Sequence, residues 1–237
     1  MTITSQHNPA VREIRQLRQR RRRRERAGRF VAEGEDLLSA ADAAGWQPVA
    51  RYCAAGSGLP GVEVDPHVLA SISGLASGTR ALAVYEERWL GAPAGPLCVY
   101  LHGVADPGNV GTVLRSAAAF GASCVALGPG SADPFGPKAV RASMGAVFEV
   151  PLAEAAGPDG LPGTKVALVP GAGAPLREAR PEGEVTLLVG AEREGLPPAV
   201  FEAADVVAHI PIATHSLNAA MAATVALYEL GTRMPPP

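Results

Sequence analysis

The chain has 237 residues, 47% of them hydrophobic, with 27 Gly and 22 Pro, which suits one or two domains at about 150 residues each. No apolar run approaches the roughly 18–20 residues of a membrane helix, and the polar, then basic, N-terminus lacks the apolar stretch of a signal peptide. The net charge of −2 conceals a segregation: ten arginines (12, 15, 18, 20–24, 26 and 29) stand against only Glu13 and Glu25 between Arg12 and Arg29.

In chain order, residues 10–27 lack Gly and Pro and are predicted to form one basic helix. Its run of like charge repels itself and is best neutralised by a polyanion, so the Arg12–Arg29 arm is expected to bind nucleic acid through phosphates, without reading sequence. The competing reading is a solvated helix face in an arginine-rich chain (19 Arg against 2 Lys). Phe30–Gly34 reads as a strand and turn, and Glu35–Ala44 as a helix closed by Gly45. Pro48–Cys53 and Gly61–Val64 are short strands, Pro66–Ser73 a helix, and Ala81–Glu86 a strand. Trp89–Pro96 is a Gly/Pro-rich bridge. It divides a basic N-terminal domain, residues 1–90, from a second domain, residues 97–237, with 91–96 as linker.

Beyond the bridge, apolar strands alternate with helices. Strands are predicted at Leu97–Leu101, Cys124–Leu127, Phe148–Val150, Val166–Val169, Val185–Val189 and Val206–Ile210. Helices are predicted from about Val110 to Phe120, at Lys138–Met144 and at Ser216–Leu230. This rhythm specifies an α/β fold with a parallel sheet covered by helices on both faces. Ligands of such sheets bind at the loops leaving the carboxyl ends of the strands. Cys53, Cys98 and Cys124 have neither CxxC nor Cys/His spacing, and are expected to be buried thiols of a reducing, cytoplasmic compartment rather than metal ligands or disulfides.

Three segments following strands carry candidate chemistry. The first runs from Leu101 through Pro107-Gly108-Asn109-Val110-Gly111 to Arg115, a Gly-rich loop entering a helix about one and a half turns before Arg115. It matches neither GxGxxG nor GxxxxGK[ST], which removes the common nucleotide-cofactor motifs. The second is Val189-Gly190-Ala191-Glu192-Arg193-Glu194-Gly195-Leu196-Pro197, where two glycines bracket acids at a tight turn. The third is His209-Ile210-Pro211-Ile212, then Ser216-Leu217-Asn218, with Ser216 a candidate N-cap of the last helix.

Taken together, PGNVGTVLRSAAAFGA, GAEREGL and IPI…SLNAAMAATVALYEL, with KAVRASMGAVF between the first two, resemble the SpoU/TrmH family of RNA 2′-O-ribose methyltransferases, within the SPOUT superfamily. The resemblance covers about residues 97–231. Upstream, HNPAVREIRQLRQRR…GRFVAEGEDLL resembles the N-terminal RNA substrate domain of many members, which is similar to a small ribosomal-protein fold. The resemblance implies a deep trefoil knot, a homodimer and S-adenosylmethionine bound by Gly190, Ile210 and Leu217, with Pro170 and Gly171 as a further wall. It assigns Arg115 to catalysis, reaching the partner subunit's site, with Asn109, Glu192, Ser216 and Asn218 orienting phosphate, ribose and loops. A guanidinium is normally fully charged, so Arg115 either takes the 2′-OH proton with help from an RNA phosphate or, as we prefer, stabilises the developing alkoxide.

The implied reaction is methyl transfer to a ribose 2′-OH of structured RNA, 23S-type ribosomal RNA before tRNA. A non-catalytic RNA-binding or ribosome-assembly factor of the same fold is the alternative. The chemistry needs no metal. The chain departs from the family pattern at Ile212–His215, a shorter loop than in common members, where His215 replaces an acid; the shortening implies a narrower cofactor pocket.

Overall fold

A computed structural model describes residues 2–74 and 78–233. The N-terminal basic segment forms two helices rather than one. Helix α1 (Pro9–Gln19) is capped by the Asn8 side chain, Arg20 is extended, and α2 (Arg21–Ala27) ends at Gly28, whose φ of 59° is left-handed. The break has a local cause. Arg24 folds its guanidinium back onto the carbonyls of Leu17 (2.6 Å) and Arg18 (3.4 Å), which a continuous helix would have engaged.

Strand β1 (Arg29–Glu33), helix α3 (Glu35–Ala43), β2 (Ala50–Ala54), β3 (Val62–Val64), α4 (Pro66–Ala70) and β4 (Ala81–Glu86) follow. They build a four-stranded sheet of order β1-β4-β2-β3 among the described residues, antiparallel except for β2–β3. Val11, Ile14 and Leu17 of α1 recur at helical spacing and pack with Val68 and Leu69 of α4 on one face of this sheet.

The other face turns toward the second sheet. Phe30, Trp46 and Tyr85 form one aromatic cluster with Phe135 and Phe148, with Phe30–Phe135 centroids 4.7 Å apart and Tyr85–Phe148 5.1 Å apart. The Trp46 indole N–H donates to the Phe148 carbonyl at 2.8 Å. Each such aromatic pair adds about 0.5–1.5 kcal/mol beyond area burial, so the two sheets share a core.

The second part contains β5 (Leu97–Leu101), α5 (Pro107–Ala119), β6 (Cys124–Leu127), α6 (Pro137–Ala142), β7 (Leu152–Glu154), β8 (Thr164–Leu168), β9 (Ala174–Pro175), β10 (Val185–Val189), α7 (Pro198–Glu202), β11 (Val206–His209) and α8 (Ala219–Gly231). Among the described residues its sheet has seven strands, all parallel, in the order β7-β6-β5-β10-β8-β11-β9. Helices α5, α6 and α8 cover one face. The other is covered more thinly, by α7 and the loop around Leu161, over Tyr100, Ala126 and Leu188. Where α5 crosses α6, a side chain on Gly111 would overlap the Ala139 carbonyl, so glycine sets that helix spacing.

Of the predicted elements whose bounds move, three bear on the core and the site. The segment Phe148–Val150 is not a strand: Ala146–Phe148 is a 3-10 turn that delivers Phe148 to the aromatic cluster, and the strand comes after Pro151. Helix α5 begins at Pro107, three residues before its predicted start, because Asp106 caps it and Pro suits the first helical position. Helix α8 begins at Ala219, not Ser216, because the Asn218 carboxamide accepts from the N–H groups of Ala220 (2.9 Å) and Met221 (3.2 Å). Among the described residues no helix is long and apolar enough to cross a membrane.

Candidate active site

The carboxyl ends of β10, β8 and β11 open into a cleft of about 240 Å³, somewhat below the roughly 300 Å³ at which small-molecule pockets usually begin. Its walls include Pro170, Gly190, Ile210, Ile212 and Leu217, and Glu192 and Ser216 stand among its polar lining. The turn beyond β10 explains the glycines. Ala191 and Gly195 exchange backbone hydrogen bonds at 3.1 and 2.9 Å, and Gly195 has a left-handed φ of 69°. A methyl on Gly190 would overlap the Gly195 carbonyl group, so this turn closes only over a glycine.

Four of the five expected cofactor positions, Pro170, Gly190, Ile210 and Leu217, line the cleft; Gly171 does not. A methyl added at Gly171 would meet nothing within 4 Å, whereas a side chain on nearby Gly173 would overlap the Val207 carbonyl. The short loop from Ile212 to Ser216 is exposed, and its ends, Ile212 and Ser216, still border the cleft.

Side chains from the three motifs meet at the rim. The Asn109 amide donates to Glu192 Oε1 at 2.5 Å, the Asn218 amide donates to the same oxygen at 2.8 Å, and Asn218 also donates to Asn109 Oδ1 at 3.1 Å. Asn109 is placed by the first turn of α5. Asp106 accepts from Gly108 N (2.5 Å) and Asn109 N (3.3 Å) and pairs with Lys138 at 3.1 Å. The hydrogen bond from Lys138, followed by the one from Gly108, holds the Asp106 carboxyl below the usual carboxylate range.

Arg115 is not part of this rim. Because α5 starts at Pro107, Arg115 lies more than two turns into the helix, exposed beside Thr112, and has no hydrogen bond or ion pair among the described residues. Next to α5, helix α8 exposes Met221 (62%), Val225 (38%) and Tyr228 (54%), an apolar stripe at helical spacing.

Two features escaped the sequence reading. Cys98 and Cys124 are register partners on β5 and β6 and are fully buried, although distant in the chain. The adjacent Cys124 thiol and burial push the Cys98 thiol up, and its Sγ donates to the Ala94 carbonyl at 3.2 Å. His102, at the end of β5, is hydrogen-bonded through Nδ1 to the Tyr100 hydroxyl at 2.9 Å, and burial lowers its imidazole below the ordinary histidine value. Neither follows from a local motif; parallel register alone brings the cysteines together.

The SpoU rRNA Methylase family model matches residues 96–228, the part that holds the cleft and the Asn109–Glu192–Asn218 contact. The chain belongs to the SpoU rRNA methylase family. A second model, the MRM3-like substrate binding domain, matches residues 8–83 of this SpoU-family chain. The chain is 35% identical over 135 residues to the 23S rRNA (guanosine(2553)-2'-O)-methyltransferase RlmP of Bacillus subtilis; that alignment spans 54% of each protein, about half of the relative's length. The AdoMet-bound rRNA methyltransferase of Sinorhizobium meliloti superposes with a TM-score of 0.85 at 31% identity, over 99% of this chain and 98% of that one. The SpoU methyltransferase AviRb of Streptomyces viridochromogenes, in complex with the cofactor AdoMet, gives 0.85 at 27% identity, over 96% and 98%.

Proposed function

We propose that this SpoU-family enzyme transfers a methyl group from S-adenosylmethionine to a ribose 2′-OH of structured RNA, with 23S-type ribosomal RNA as the substrate. The observation that carries this reading is the hydrogen-bonded union of Asn109, Glu192 and Asn218 beside a cleft walled by Gly190, Ile210 and Leu217. A mainly apolar cleft with a few polar groups at its mouth suits an adenosine and its charged tail. Gly190, Ile210, Leu217 and Pro170 would hold the cofactor, and its sulfonium would supply the methyl group.

The protein's part is positioning, because holding two reactants in line supplies much of the acceleration in displacement. The Asn109–Glu192–Asn218 contact locks the α5 entrance, the Gly190 turn and the start of α8 into one unit. Ser216 orients the ribose or its phosphate from the rim. Arg115 stabilises the developing alkoxide as a fixed cation. Its absence from its own chain's cleft supports a homodimer in which it serves the partner's site. The Met221–Val225–Tyr228 stripe beside it is the face such a partner would cover. The trefoil knot belongs to the same reading, with the β10 and β11 loops crossing at the cleft.

Residues 1–90 act as the RNA domain and 97–237 as the cofactor domain. Exposed Arg12, Arg20, Arg22 and Arg26 supply the phosphate contacts, whereas Arg24 is a buried structural residue. The test is mapping of 2′-O-methylated nucleotides in ribosomal and transfer RNA from cells with and without the gene. Loss of one ribosomal site is expected; loss of a transfer-RNA site would replace the substrate, and no loss in either would favour a non-catalytic factor.

A further inference from the structure

A second, larger cleft of about 700 Å³ lies between the RNA-facing helix α2 and the second sheet. One wall is Arg21, Gly28, Glu87 and Trp89; the other is the loop Gly128–Pro134, with Glu154 at the end of β7. It opens at the same carboxyl edge as the cofactor cleft. Along that edge, β5 separates the β6 and β7 ends that border this cleft from the β10, β8 and β11 ends that border the cofactor cleft. The loop after β5 links them: Gly103 N–H donates to the Pro129 carbonyl at 3.0 Å, and Ala132 N–H to the Val104 carbonyl at 2.9 Å.

The cleft's chemistry is selective. Of the two tryptophans, Trp46 is buried at 6% exposure, whereas Trp89 is 37% exposed. The Trp89 ring is held in place by edge contact with Phe135 at 5.1 Å, and its indole N–H donates to Glu87 Oε2 at 3.2 Å. Two of the carboxylates near the cleft are already engaged: Glu25 by Arg21 (2.8 Å) and Asp133 by Arg24 (2.6 Å). Glu87 is half-buried, and its other oxygen has no partner among the described residues. A fixed aromatic face offers stacking to any base, while a carboxylate only accepts hydrogen bonds. Among the four bases, guanine alone presents two adjacent donors on its Watson–Crick edge.

We propose that this cleft holds an unstacked guanine of the bound RNA, stacked on Trp89 and read by Glu87, on the same edge of the sheet as the cofactor cleft. Splayed bases stacked on aromatic side chains and hydrogen-bonded on that edge are the usual means of sequence-specific RNA recognition. The proposal rests on the reading that the chain binds RNA. It gives a protein whose arginines are blind to sequence one point of base selection.

The test is titration of the full chain with guanosine, adenosine, cytidine and uridine monophosphates, followed by tryptophan fluorescence, with S-adenosylmethionine binding measured separately by calorimetry. Saturable quenching strongest for the guanosine nucleotide is expected, with Glu87→Gln weakening it about ten- to a hundred-fold and removing the preference. Trp89→Tyr, followed by calorimetry, should retain the preference because the stacking face remains. No saturable response to any nucleotide up to about 10 mM, or a guanosine preference unchanged in Glu87→Gln, overturns the proposal. A chain that binds cofactor but shows neither effect contradicts this site alone. Base selection without cofactor binding supports this site and contradicts the methyltransferase reading.

Discussion

Asn109 and Glu192 lie 83 positions apart in the chain, yet their side chains are joined by a 2.5 Å hydrogen bond. Asn218 donates to the same Glu192 oxygen at 2.8 Å while its own oxygen caps α8. The two jobs of Asn218 can be separated. Asn218→Asp keeps the cap, since Asp and Asn cap equally well, but sets one carboxylate against another. Turnover should fall about a hundred-fold, as for a misplaced reacting group. Asn218→Ala loses the cap as well and should cost about 1 kcal/mol of stability in denaturant unfolding. An Asp variant with full turnover would remove the network from the mechanism.

Gly190→Ala tests the cleft. Its methyl group would overlap the Gly195 carbonyl, so the turn must open. Calorimetry should show loss of S-adenosylmethionine binding, with far-ultraviolet circular dichroism unchanged because β10 itself stays buried and paired.

The arginines of α2 divide into two classes with opposite signatures. Arg24 is 5% exposed and holds Asp133 through two nitrogens, at 2.8 and 2.6 Å. Arg24→Ala leaves the half-buried Asp133 carboxylate with only the Phe135 N–H as partner and frees the Leu17 carbonyl, and should cost about 2–4 kcal/mol. Arg22 and Arg26 are exposed, so Arg22→Ala and Arg26→Ala should leave stability unchanged. Each should lower the logarithmic salt slope of RNA binding by about 0.7–0.9. Deleting residues 1–29 would not isolate the charge effect, because it strips Val11, Ile14 and Leu17 from the N-terminal core.

His102 gives stability a pH dependence. Its folded-state value is lowered by burial, so the unfolded chain takes up the proton first as pH falls. The contribution of the neutral ring is complete above about pH 6.5 and is lost progressively below it. His102→Gln should flatten the fall in stability on acidification from neutral pH, measured by urea unfolding; an unchanged slope would assign the effect elsewhere.

Much of this was legible in the sequence because the signals were local. Leu97–Leu101 is an uninterrupted apolar run and Val185–Val189 is broken only by Thr186, and both are central strands with the predicted bounds. Ala81–Glu86 was equally clear. Helix starts are ambiguous in the sequence where two capping residues compete: Ser216 and Asn218 both suit the role, and the tertiary contact with Glu192 fixes Asn218. Asp106-Pro107 is a cap followed by a first-position proline, a signal outweighed by the glycines behind it. Arg24 could not be told from its neighbours, because only the fold brings Asp133 to it. The cleft beside Trp89 is hidden for the same reason, since its walls come from four separate parts of the chain.

The most direct measurement is methyl transfer itself. The purified chain is incubated with methyl-labelled S-adenosylmethionine and ribosomal RNA, and the labelled nucleoside is identified by mass spectrometry. Label is expected on the ribose 2′-oxygen of one nucleotide, abolished in Arg115→Ala while that variant binds cofactor and unfolds like the parent. Label on a base, or undiminished ribose methylation by Arg115→Ala, would contradict it.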